Sequence, residues 1–328
     1  MKSAKIVGLG KYLPPKILTN EDLEKIVDTS DQWITERTGI KNRHIVEKGV
    51  PVSQLGFYAA EQALQRAGIK AKDLDLIIFA TITPDMPFPS ASCILQDKLG
   101  AKNAACFDLS AACSGFVYGL TTAWNFLRTG MYKNVLVIGA EVLSAFTDWH
   151  DRSTCVLFAD GGGAAVLVPT DNEREGVLSS YLGANGSDAH LLNLPAGGSA
   201  CPASAETVAR GDHYIKMKGN ELFRIAVRAM VKAAKESLKG AGLESDDVDL
   251  LIPHQANIRI IDAVTKRLGL TGDRVFINIE KYGNMSAACS IVALCEAWEQ
   301  DRIKKGDIVV IDTFGGGLVW GANVIKWA

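Results

Sequence analysis

The chain alternates short, almost wholly apolar runs with longer segments that are apolar on one face only. The apolar runs have the length of strands and include residues 74–80, 104–109, 134–140, 163–169, 248–253 and 307–314. The three-to-four-residue spacing of amphipathic helices occurs in 54–67, 115–128, 219–239 and 286–301. This alternation predicts an α/β fold. Strands that are apolar on both faces further indicate parallel strands covered by helices on either side.

A weak internal repeat predicts two similar halves. Lys-Asp-Leu-Asp-Leu-Ile-Ile at 72–78 resembles Asp-Asp-Val-Asp-Leu-Leu-Ile at 246–252. The tetrapeptide Ala-Ala-Cys-Ser occurs at 111–114 and again at 287–290, each time at the start of a predicted helix. We place the boundary near the polar stretch 170–175, which gives the halves 1–170 and 171–328. Because no flexible linker separates them, we expect the halves to pack as one body.

Overall charge narrows the classes of function. The 328 residues carry a formal net charge of −2, with a pI near 6.2, so the bulk charge does not favour binding to nucleic acid or to an anionic membrane. No apolar run approaches the roughly 18 residues that span a bilayer. In residues 1–14, glycines and a proline interrupt the apolar stretch before it is long enough for the core of a secretory signal peptide. This segment predicts a first strand instead. We therefore expect a cytoplasmic protein.

The cysteines and histidines limit the metal and disulfide chemistry. Seven cysteines and five histidines occur without a C-x-x-C motif or a spacing of the zinc-finger type. An odd number of cysteines spread over a long chain argues against a disulfide framework. We expect no structural zinc, and at least one reactive cysteine.

Four unusual sequences directly follow predicted strands or a strand-like segment. They are Cys113 after 104–109, His254 after 248–253, Asn284 after the segment that begins at 275, and the triple glycine 315–317 after 307–314. Reactive groups in a parallel sheet gather at the carboxyl ends of its strands. These positions are therefore candidates for a common site.

Cys113 stands just before the predicted helix 115–128. A thiol at a helix N-terminus meets unpaired backbone N–H groups and the positive end of the dipole, which favour the nucleophilic thiolate. The commoner alternative is a small core residue. Cys289, which lies in the same tetrapeptide but inside an apolar helix face, is interpreted as core. Cys113 is the candidate nucleophile.

The other three positions are weaker when taken singly. His254 lies in Pro-His-Gln-Ala-Asn, at a strand end with polar neighbours, which favours a functional histidine over a core one. Asn284 after a glycine is ordinary turn chemistry. The triple glycine lacks the Lys-Ser/Thr ending of a phosphate loop and the G-x-G-x-x-G dinucleotide pattern. Their significance lies in their combination.

That combination is similar to one known family. Ala-Ala-Cys-Ser-Gly at 111–115, Pro-His-Gln-Ala-Asn at 253–257, Gly-Asn-Met-Ser at 283–286 and Gly-Gly-Gly-Leu-Val-Trp-Gly at 315–321 closely resemble β-ketoacyl-[acyl carrier protein] synthase III in order and spacing. Further matching segments run from end to end and comprise 20–23, 28–34, 37–40, 88–90, 151–152 and 219–221.

The resemblance implies a thiolase-like, five-layered αβαβα body that acts as a homodimer, with Cys113, His254 and Asn284 at the bottom of a tunnel. It implies an acyltransferase of fatty acid biosynthesis. An acyl-CoA primer acylates the cysteine, then malonyl-[acyl carrier protein] loses CO2 and attacks the thioester to give a 3-oxoacyl-[acyl carrier protein]. Backbone N–H groups of Cys113 and Gly316 would form an oxyanion hole, and neutral His254 and Asn284 would hydrogen-bond the enolate oxygen.

The resemblance also implies binding residues. Trp33 and Arg152 would stack against the adenine of coenzyme A, and its pantetheine and phosphate path would be lined by Thr29, Arg37, Gly219, Asn220, Phe223 and Asn257. A basic docking face for the acidic carrier protein would comprise Arg224, Gln255, Arg259, Lys266 and Arg267. Phe88 resembles a bulky pocket residue contributed across the dimer interface, which favours acetyl or another short, straight primer.

Small departures from the family pattern occur in the loop 158–163 and at Ser153, and they leave the nucleophile, the histidine and the asparagine unchanged. Within the fold, a thiolase would use a second catalytic cysteine and a hydroxymethylglutaryl synthase a carboxylate, and Asn284 argues against both. A condensing enzyme for longer acyl chains or for polyketide priming would keep all three residues. An inactive binding subunit would not need them.

Overall fold

The computed structural model describes residues 3–328, which form two main β-sheets and the helices packed on them. The strands are β1 (Ser3–Tyr12), β2 (Lys16–Thr19), β3 (Asn42–Ile45), β4 (Leu76–Ala80), β5 (Ala105–Leu109), β6 (Val135–Val142), β7 (Asp160–Thr170), β8 (Gly176–Ala184), β9 (Leu192–Asn193), β10 (Lys216–Met217), β11 (Leu250–Pro253), β12 (Ile308–Gly315) and β13 (Val319–Lys326). The helices are α1 (Asn20–Leu23), α2 (Asp31–Thr38), α3 (Val52–Ala67), α4 (Ala91–Leu99), α5 (Gly115–Arg128), α6 (Arg152–Cys155), α7 (Ala205–Ala209), α8 (Gly219–Gly240), α9 (Ile258–Leu268), α10 (Ile279–Tyr282) and α11 (Ala288–Glu299).

Each half of the chain builds one main sheet. The strand order is β1-β7-β6-β4-β5 in the five-stranded sheet and β11-β12-β13-β8 in the four-stranded sheet. The first sheet ends along the chain at Thr170, and the second begins at Gly176. Residues 171–175 therefore form the connection between the two sheets.

The prediction of parallel strands holds for only part of the two sheets. β4 runs parallel to β5 and β6, and β11 runs parallel to β12. The prediction is wrong for the segment 163–169, because β7 is antiparallel to both of its neighbours, β1 and β6. Both faces of β7 are nevertheless covered, by α3 on one side and by α11 on the other. An apolar run thus reports burial on two faces and not strand direction.

Helices and sheets alternate in five layers, as expected for a thiolase-like fold. α3 and α4 cover the outer face of the first sheet, with Leu55 and Phe79 in that core. α5 and α11 lie between the sheets, with Phe116 and Ile311. α8 and α9 cover the outer face of the second sheet around Met230. Burying one such side chain contributes roughly 1.5–3 kcal/mol, so these three cores dominate the stability of the arrangement.

The repeated tetrapeptide marks equivalent places in the two halves. Residues 111–114 lead into α5, and residues 287–290 open α11. These are the two helices that lie between the sheets. The repeat found in the sequence therefore corresponds to the central layer, where the halves meet.

Helix bounds agree well with the predicted segments. α5 coincides with 115–128, α3 begins two residues before 54, and α11 is shorter than 286–301. β8 and β13 were not predicted, because their glycines interrupt the apolar pattern, and antiparallel pairing with each other holds them in the sheet. In the part of the chain that the structure describes, no helix has both the length and the apolar character to cross a membrane.

Candidate active site

Cys113 lies in the tight turn that joins β5 to α5. The turn is one short 3-10 helix, Ala112–Ser114, and Ala112 within it has a φ of +43°. An alanine in this left-handed region is strained, and such residues cluster at functional sites. The strained residue directly precedes the candidate nucleophile.

Two glycines let neighbouring elements approach this turn. A Cβ atom on Gly315, at the end of β12, would lie 2.6 Å from the backbone nitrogen of Cys113. A Cβ atom on Gly115 would lie 2.9 Å from the Cβ of Ala80 and 3.2 Å from that of Ala287. A larger residue at either position would displace the turn. The glycines therefore allow both sheets to meet at Cys113.

The thiol of Cys113 is buried, with 7% of the residue exposed. Burial raises the pKa of this thiol to about 12; the nearby Ser286 side chain lowers it in part, and the charge of Glu141 raises it further. Desolvation thus opposes the effect of the helix N-terminus, which favours the thiolate. Cys113 is a neutral thiol that must give up its proton during reaction.

His254 follows β11 and is also buried. Its backbone N–H donates to the carbonyl oxygen of Asp312 at 2.7 Å, which ties it to β12. Burial lowers the pKa of the imidazole to about 4, so the ring is neutral at neutral pH. Its Nδ1 atom finds no hydrogen-bond partner among residues 3–328. A neutral ring can donate through one nitrogen and accept through the other.

Asn284 is held at both its backbone and its side-chain oxygen. Its N–H donates to the carbonyl of Leu157 at 2.9 Å, and its carbonyl accepts from the N–H of Ala159 at 2.9 Å. The side-chain Oδ1 accepts from the backbone N–H of Ser286 at 2.9 Å. Because a backbone donor occupies Oδ1, the orientation of the amide is fixed. The NH2 group is the part left to bind a ligand.

The sequence did not single out Glu141, a buried carboxylate close to this site. It accepts hydrogen bonds from the hydroxyls of Thr81 and Thr83 at 3.0 and 2.7 Å and from the N–H of Ile82 at 3.1 Å. Burial raises the pKa of Glu141 to about 7, and these donors offset only part of the shift. A carboxylate inside an otherwise apolar strand is costly to bury. The presence of a glutamate in the apolar sequence of β6 is therefore a signal by which Glu141 could have been found.

Ser286 is a second unpredicted residue of the site. Its φ of +48° places it, like Ala112, in the left-handed region. Its buried hydroxyl makes no hydrogen bond of normal geometry with any described residue, yet it lies close enough to lower the pKa of both Cys113 and Glu141. Ser286 therefore lies between the nucleophile and the buried carboxylate.

Cys113 lies where two cavities meet. A cavity of about 450 Å³ also contains His254 and Asn284, and therefore brings together all three predicted catalytic residues. A second cavity of about 330 Å³ contains Cys113, Gly316 and a mostly apolar lining that includes Ile82, Leu143, Phe146, Leu194 and Ile215. A group attached to Cys113 could thus extend in one direction toward polar residues and in the other toward apolar ones.

A cavity of about 690 Å³ is larger than either, and its lining includes Lys16, Val50, Asp85 and Trp149. It contains none of the three predicted catalytic residues. Volume alone does not identify a site, because a binding site also needs a few convergent polar groups. We therefore assign the candidate site to the two cavities at Cys113.

Most residues predicted to bind coenzyme A line the 450 Å³ cavity. They are Trp33, Arg37, Gly219, Asn220, Phe223 and Asn257. Arg152 is not on this lining, but its guanidinium carbon lies 4.8 Å from the centre of the Trp33 ring. Thr29 also lies off the lining, and its hydroxyl is buried without a hydrogen-bond partner in residues 3–328.

Helix caps hold some of these side chains in place. The Ser30 side chain accepts from the N–H of Trp33 at 3.1 Å and begins α2. The Asn257 side chain accepts from the N–H of Arg259 at 2.9 Å and begins α9, while its NH2 donates to the carbonyl of Arg37 at 3.0 Å. Such caps typically stabilise a helix by about 1 kcal/mol. Here they also join α2 to α9 at the wall of the cavity.

The residues predicted to dock a carrier protein are exposed with one exception, and the exposed ones are Arg224, Arg259, Lys266 and Arg267. The prediction for Gln255 is wrong. It is 1% exposed, its NH2 donates to the carbonyl of Pro253 at 2.7 Å, and its Oε1 accepts from the N–H of Asn278 at 3.0 Å. Buried backbone groups need such partners, so Gln255 serves the interior of the second half.

Phe88 does not contribute to either cavity of its own chain. It is 83% exposed and lies in the loop that precedes α4. Neither the 330 Å³ nor the 450 Å³ cavity includes it among the described residues.

Family models and relatives agree on one family. The model for 3-oxoacyl-[acyl-carrier-protein (ACP)] synthase III matches residues 107–186, and the model for the C-terminal part of the same enzyme matches residues 238–327. The beta-ketoacyl-[acyl-carrier-protein] synthase III of Caldanaerobacter subterraneus subsp. tengcongensis is 56% identical over 326 residues, which cover 99% of this chain and 98% of that protein.

Solved structures match over the same extent. The 3-oxoacyl-[acyl-carrier-protein] synthase III of Aquifex aeolicus VF5 has a TM-score of 0.91 at 47% identity, over 99% of this chain and 100% of that one. The priming beta-ketosynthase of the R1128 polyketide biosynthetic pathway has a TM-score of 0.91 at 33% identity, over 99% of this chain and 96% of that one. The full-length matches and the three residues gathered at one cavity lead to one conclusion: the chain belongs to the β-ketoacyl-[acyl carrier protein] synthase III family of condensing acyltransferases.

Proposed function

We propose that this protein joins a short acyl group from acyl-CoA to malonyl-[acyl carrier protein] in a decarboxylative Claisen condensation that starts a fatty acid chain. The products are a 3-oxoacyl-[acyl carrier protein], CO2 and coenzyme A. Cys113 carries the acyl group, and His254 and Asn284 act on the malonyl thioester. The observation that carries the proposal is the Asn284 amide, whose oxygen is bound to the Ser286 N–H so that its NH2 is available beside a neutral histidine.

In the first half-reaction, the sulfur of Cys113 attacks the acyl thioester, and its proton leaves with the thiol of coenzyme A. The carbonyl oxygen becomes negative in the tetrahedral intermediate. Backbone N–H groups of Cys113 and Gly316 are well suited to bind it, because donors placed in advance in a dry cavity stabilise developing charge strongly. The strained turn at Ala112 and the close approach of Gly315 support this arrangement.

In the second half-reaction, the malonyl carboxylate leaves as CO2 and its electron pair moves toward the thioester oxygen. Neutral donors from His254 and Asn284 would bind that oxygen as it becomes an enolate. The enolate carbon then attacks the carbonyl carbon of the acyl group on Cys113, the bond from that carbon to sulfur breaks, and the released thiolate takes a proton from water. A carboxylate in place of Asn284 would repel the negative charge that develops.

The two cavities suggest how the substrates lie. The 450 Å³ cavity, with Trp33, Arg37 and Asn257, suits the pantetheine and nucleotide of coenzyme A. The 330 Å³ cavity suits the acyl group, and its small volume favours a short primer such as acetyl. In this chemistry acyl-CoA is a substrate, and no metal or other cofactor takes part. The seven cysteines, none of them in a disulfide, fit a reducing cytoplasm.

We further propose a homodimer formed along β5. This strand is an edge of the five-stranded sheet, and an unpaired edge is a template for pairing with another chain. Phe88 lies before α4, which packs against β5, and its 83% exposure leaves it free to reach a partner. A twofold arrangement would place it near the partner's 330 Å³ cavity, where its bulk would restrict the primer.

Acylation followed by intact mass spectrometry tests the proposed function. The protein is mixed with acetyl-, propionyl-, isobutyryl- or octanoyl-CoA, and malonyl-[acyl carrier protein] is then added while CO2 release is recorded. We expect one acyl group per chain, fastest with acetyl, absent in Cys113→Ala, and discharged by the malonyl substrate. Acylation of a different cysteine, or none at all, would contradict the proposal. A clear preference for octanoyl would favour the condensation of longer chains.

A further inference from the structure

Arg43 is a buried cation close to the candidate site that no part of the proposed chemistry uses. It lies on β3 and is 0% exposed. Its Nε and Nη2 atoms both donate to the carbonyl oxygen of Val156, at 2.9 and 2.6 Å, and Nη2 also donates to Oδ1 of Asn20 at 2.9 Å. The guanidinium therefore clasps one backbone carbonyl with two of its nitrogens and binds an amide instead of a carboxylate.

The carbonyl that Arg43 clasps belongs to the segment 156–159, which holds Asn284. The next carbonyl along the chain, that of Leu157, accepts the N–H of Asn284 at 2.9 Å, and the N–H of Ala159 donates to the carbonyl of Asn284 at 2.9 Å. Segment 156–159 thus fixes Asn284 on both sides of its backbone. Any displacement of Val156 would be passed to Asn284 through these two hydrogen bonds.

A second contact reaches Asn284 from its other neighbour. A Cβ atom added to Gly283 would lie 3.2 Å from Cγ of Arg43 and 3.1 Å from the carbonyl oxygen of Leu157. The stem of Arg43 therefore packs against the residue that precedes Asn284. The same side chain restrains Asn284 through Gly283 and through the segment 156–159.

We propose that Arg43 is a positioning residue for the condensation step, which sets the direction of the Asn284 amide by clasping Val156 and packing on Gly283. This inference rests on the role assigned to Asn284 under the proposed function. Arg43 touches no substrate in this scheme and acts only through Asn284. Its effect should therefore fall on decarboxylation and spare the acylation of Cys113.

The chemistry of the guanidinium explains why an arginine occupies this place. Its planar fork can send two N–H groups to one carbonyl and a third to Asn20, whereas a lysine offers a single flexible ammonium. Asn20 is itself anchored, because its NH2 donates to the carbonyl of Ile40 at 2.8 Å and to Oδ1 of Asp31 at 2.7 Å. The start of α2 therefore holds Asn20 in place, and Asn20 in turn fixes the fork of Arg43 against Val156.

The experiment measures the two half-reactions separately in Arg43→Lys and Arg43→Met. Lysine keeps the charge without the fork, and methionine keeps an unbranched apolar stem without charge or donors. Acylation of Cys113 by acetyl-CoA is followed by rapid-quench mass spectrometry, and CO2 release from malonyl-[acyl carrier protein] is followed in parallel. Arg66→Met is the matched control, because Arg66 also binds a backbone carbonyl, that of Leu9 at 3.0 Å, but contacts Glu299 at the far end of α11.

We expect CO2 release to fall by about tenfold or more in Arg43→Met and by less in Arg43→Lys, while acylation changes by less than about threefold. A displacement of 1 Å in a catalytic group can cost about a hundredfold, so a partial loss of position has this order of effect. Arg66→Met should change neither half-reaction. Melting temperatures of all variants show how much of any loss follows from stability.

Asn284→Ala and the double variant Arg43→Lys/Asn284→Ala complete the test. If Arg43 acts through Asn284, adding Arg43→Lys to Asn284→Ala should cause no further loss of CO2 release. A full additional loss in the double variant, or equal losses of both half-reactions in Arg43→Lys, would overturn the inference. If Asn284→Ala alone left CO2 release unchanged, the role assigned to Asn284 would fail instead, which separates the two ideas.

Discussion

Single residues of the candidate site depend on different physical effects. Burial keeps the Cys113 thiol protonated and the His254 ring neutral, whereas Asn284 depends on a hydrogen bond to its own side-chain oxygen. A thiolate or an imidazolium would be costly at this depth, and the amide of Asn284 does not ionise. All three are therefore uncharged at rest, which suits the donor roles proposed for His254 and Asn284.

Replacement of Asn284 by Asp tests the division of labour between the two half-reactions. Aspartate keeps the size but replaces the NH2 donor with a second acceptor, where enolate charge develops. We expect decarboxylation to fall by about a hundredfold or more, in line with the loss of one oxyanion donor, while acylation of Cys113 falls far less. Rapid-quench mass spectrometry beside a CO2 assay measures both. Equal losses would mean that Asn284 organises the whole site.

The raised pKa of Glu141 should make the free energy of unfolding depend on pH. Burial raises its pKa from 4.5 to about 7 in the folded protein. Between these values the folded state keeps a proton that the unfolded state has lost, so folding is progressively disfavoured as the pH rises from about 4.5 to 7. The full effect is about 3 kcal/mol above pH 7, at 1.36 kcal/mol for each pKa unit. The neighbouring Cys113 thiol has a pKa of about 12 and does not titrate in this range.

Urea unfolding of the wild type and of Glu141→Gln at several pH values between 4.5 and 8 tests this expectation. Glutamine has no charge to lose, so the stability difference between the variant and the wild type should shift in favour of the variant as the pH rises. His254, which has a lowered pKa, makes both proteins lose stability on acidification below about 6.5, and this contribution cancels in the comparison. A difference that stays constant with pH would show that Glu141 keeps an ordinary pKa.

Among the secondary-structure elements, α9 joins the substrate cavity to the exposed basic surface. Its N-cap Asn257 and first-turn Arg259 line the 450 Å³ cavity, whereas Lys266 and Arg267 in its last turn are exposed and lie off that lining. At 1.5 Å per residue, the two ends are roughly 13 Å apart. Of the predicted docking residues on α9, Arg259 therefore lies at the cavity, and only Lys266 and Arg267 lie off its lining.

Charge reversal at Lys266 and Arg267 tests the docking surface. Because both residues lie off the cavity, Lys266→Glu with Arg267→Glu should leave acylation by acetyl-CoA unchanged and raise the KM for malonyl-[acyl carrier protein] severalfold at low salt. Salt should reduce the difference, since surface charges act over about 10 Å at 0.1 M ionic strength. Lys235→Glu with Lys239→Glu, at the distal end of α8, is the matched control. If both double variants behaved alike, the surface on α9 would have no special role.

At the scale of the whole molecule, the candidate site exists only because the two halves pack together. Cys113 comes from the first half, and His254 and Asn284 come from the second. The crossing is reciprocal, because Leu157 and Ala159 of the first half bind the backbone of Asn284. Unfolding either half would therefore remove both the nucleophile's surroundings and the support of the amide.

Much of the fold was predictable because buried helices and strands require apolar residues at regular intervals along the chain. The helix 115–128 was predicted with its observed bounds, and the repeat at 111–114 and 287–290 identified the central layer. Strand direction was not predictable, because β7 is covered on both faces in the same way as the parallel strands. β8 and β13 were not predicted, because glycines interrupt the apolar pattern in both. Their antiparallel pairing with each other, which the sequence does not show, holds them in the sheet.

For the candidate site, the sequence by itself determined which residue types follow which strands, and hence that Cys113, His254 and Asn284 are candidates for one chemistry. Only the tertiary structure decided their state. Desolvation depends on everything packed around a group, so the pKa of Cys113 rises to about 12 although a helix begins beside it. Gln255 turns inward because a local bend directs its side chain to the carbonyl of Pro253. Arg43 binds the carbonyl of Val156, which is distant along the chain. The pattern of apolar and polar residues along the sequence indicates neither contact.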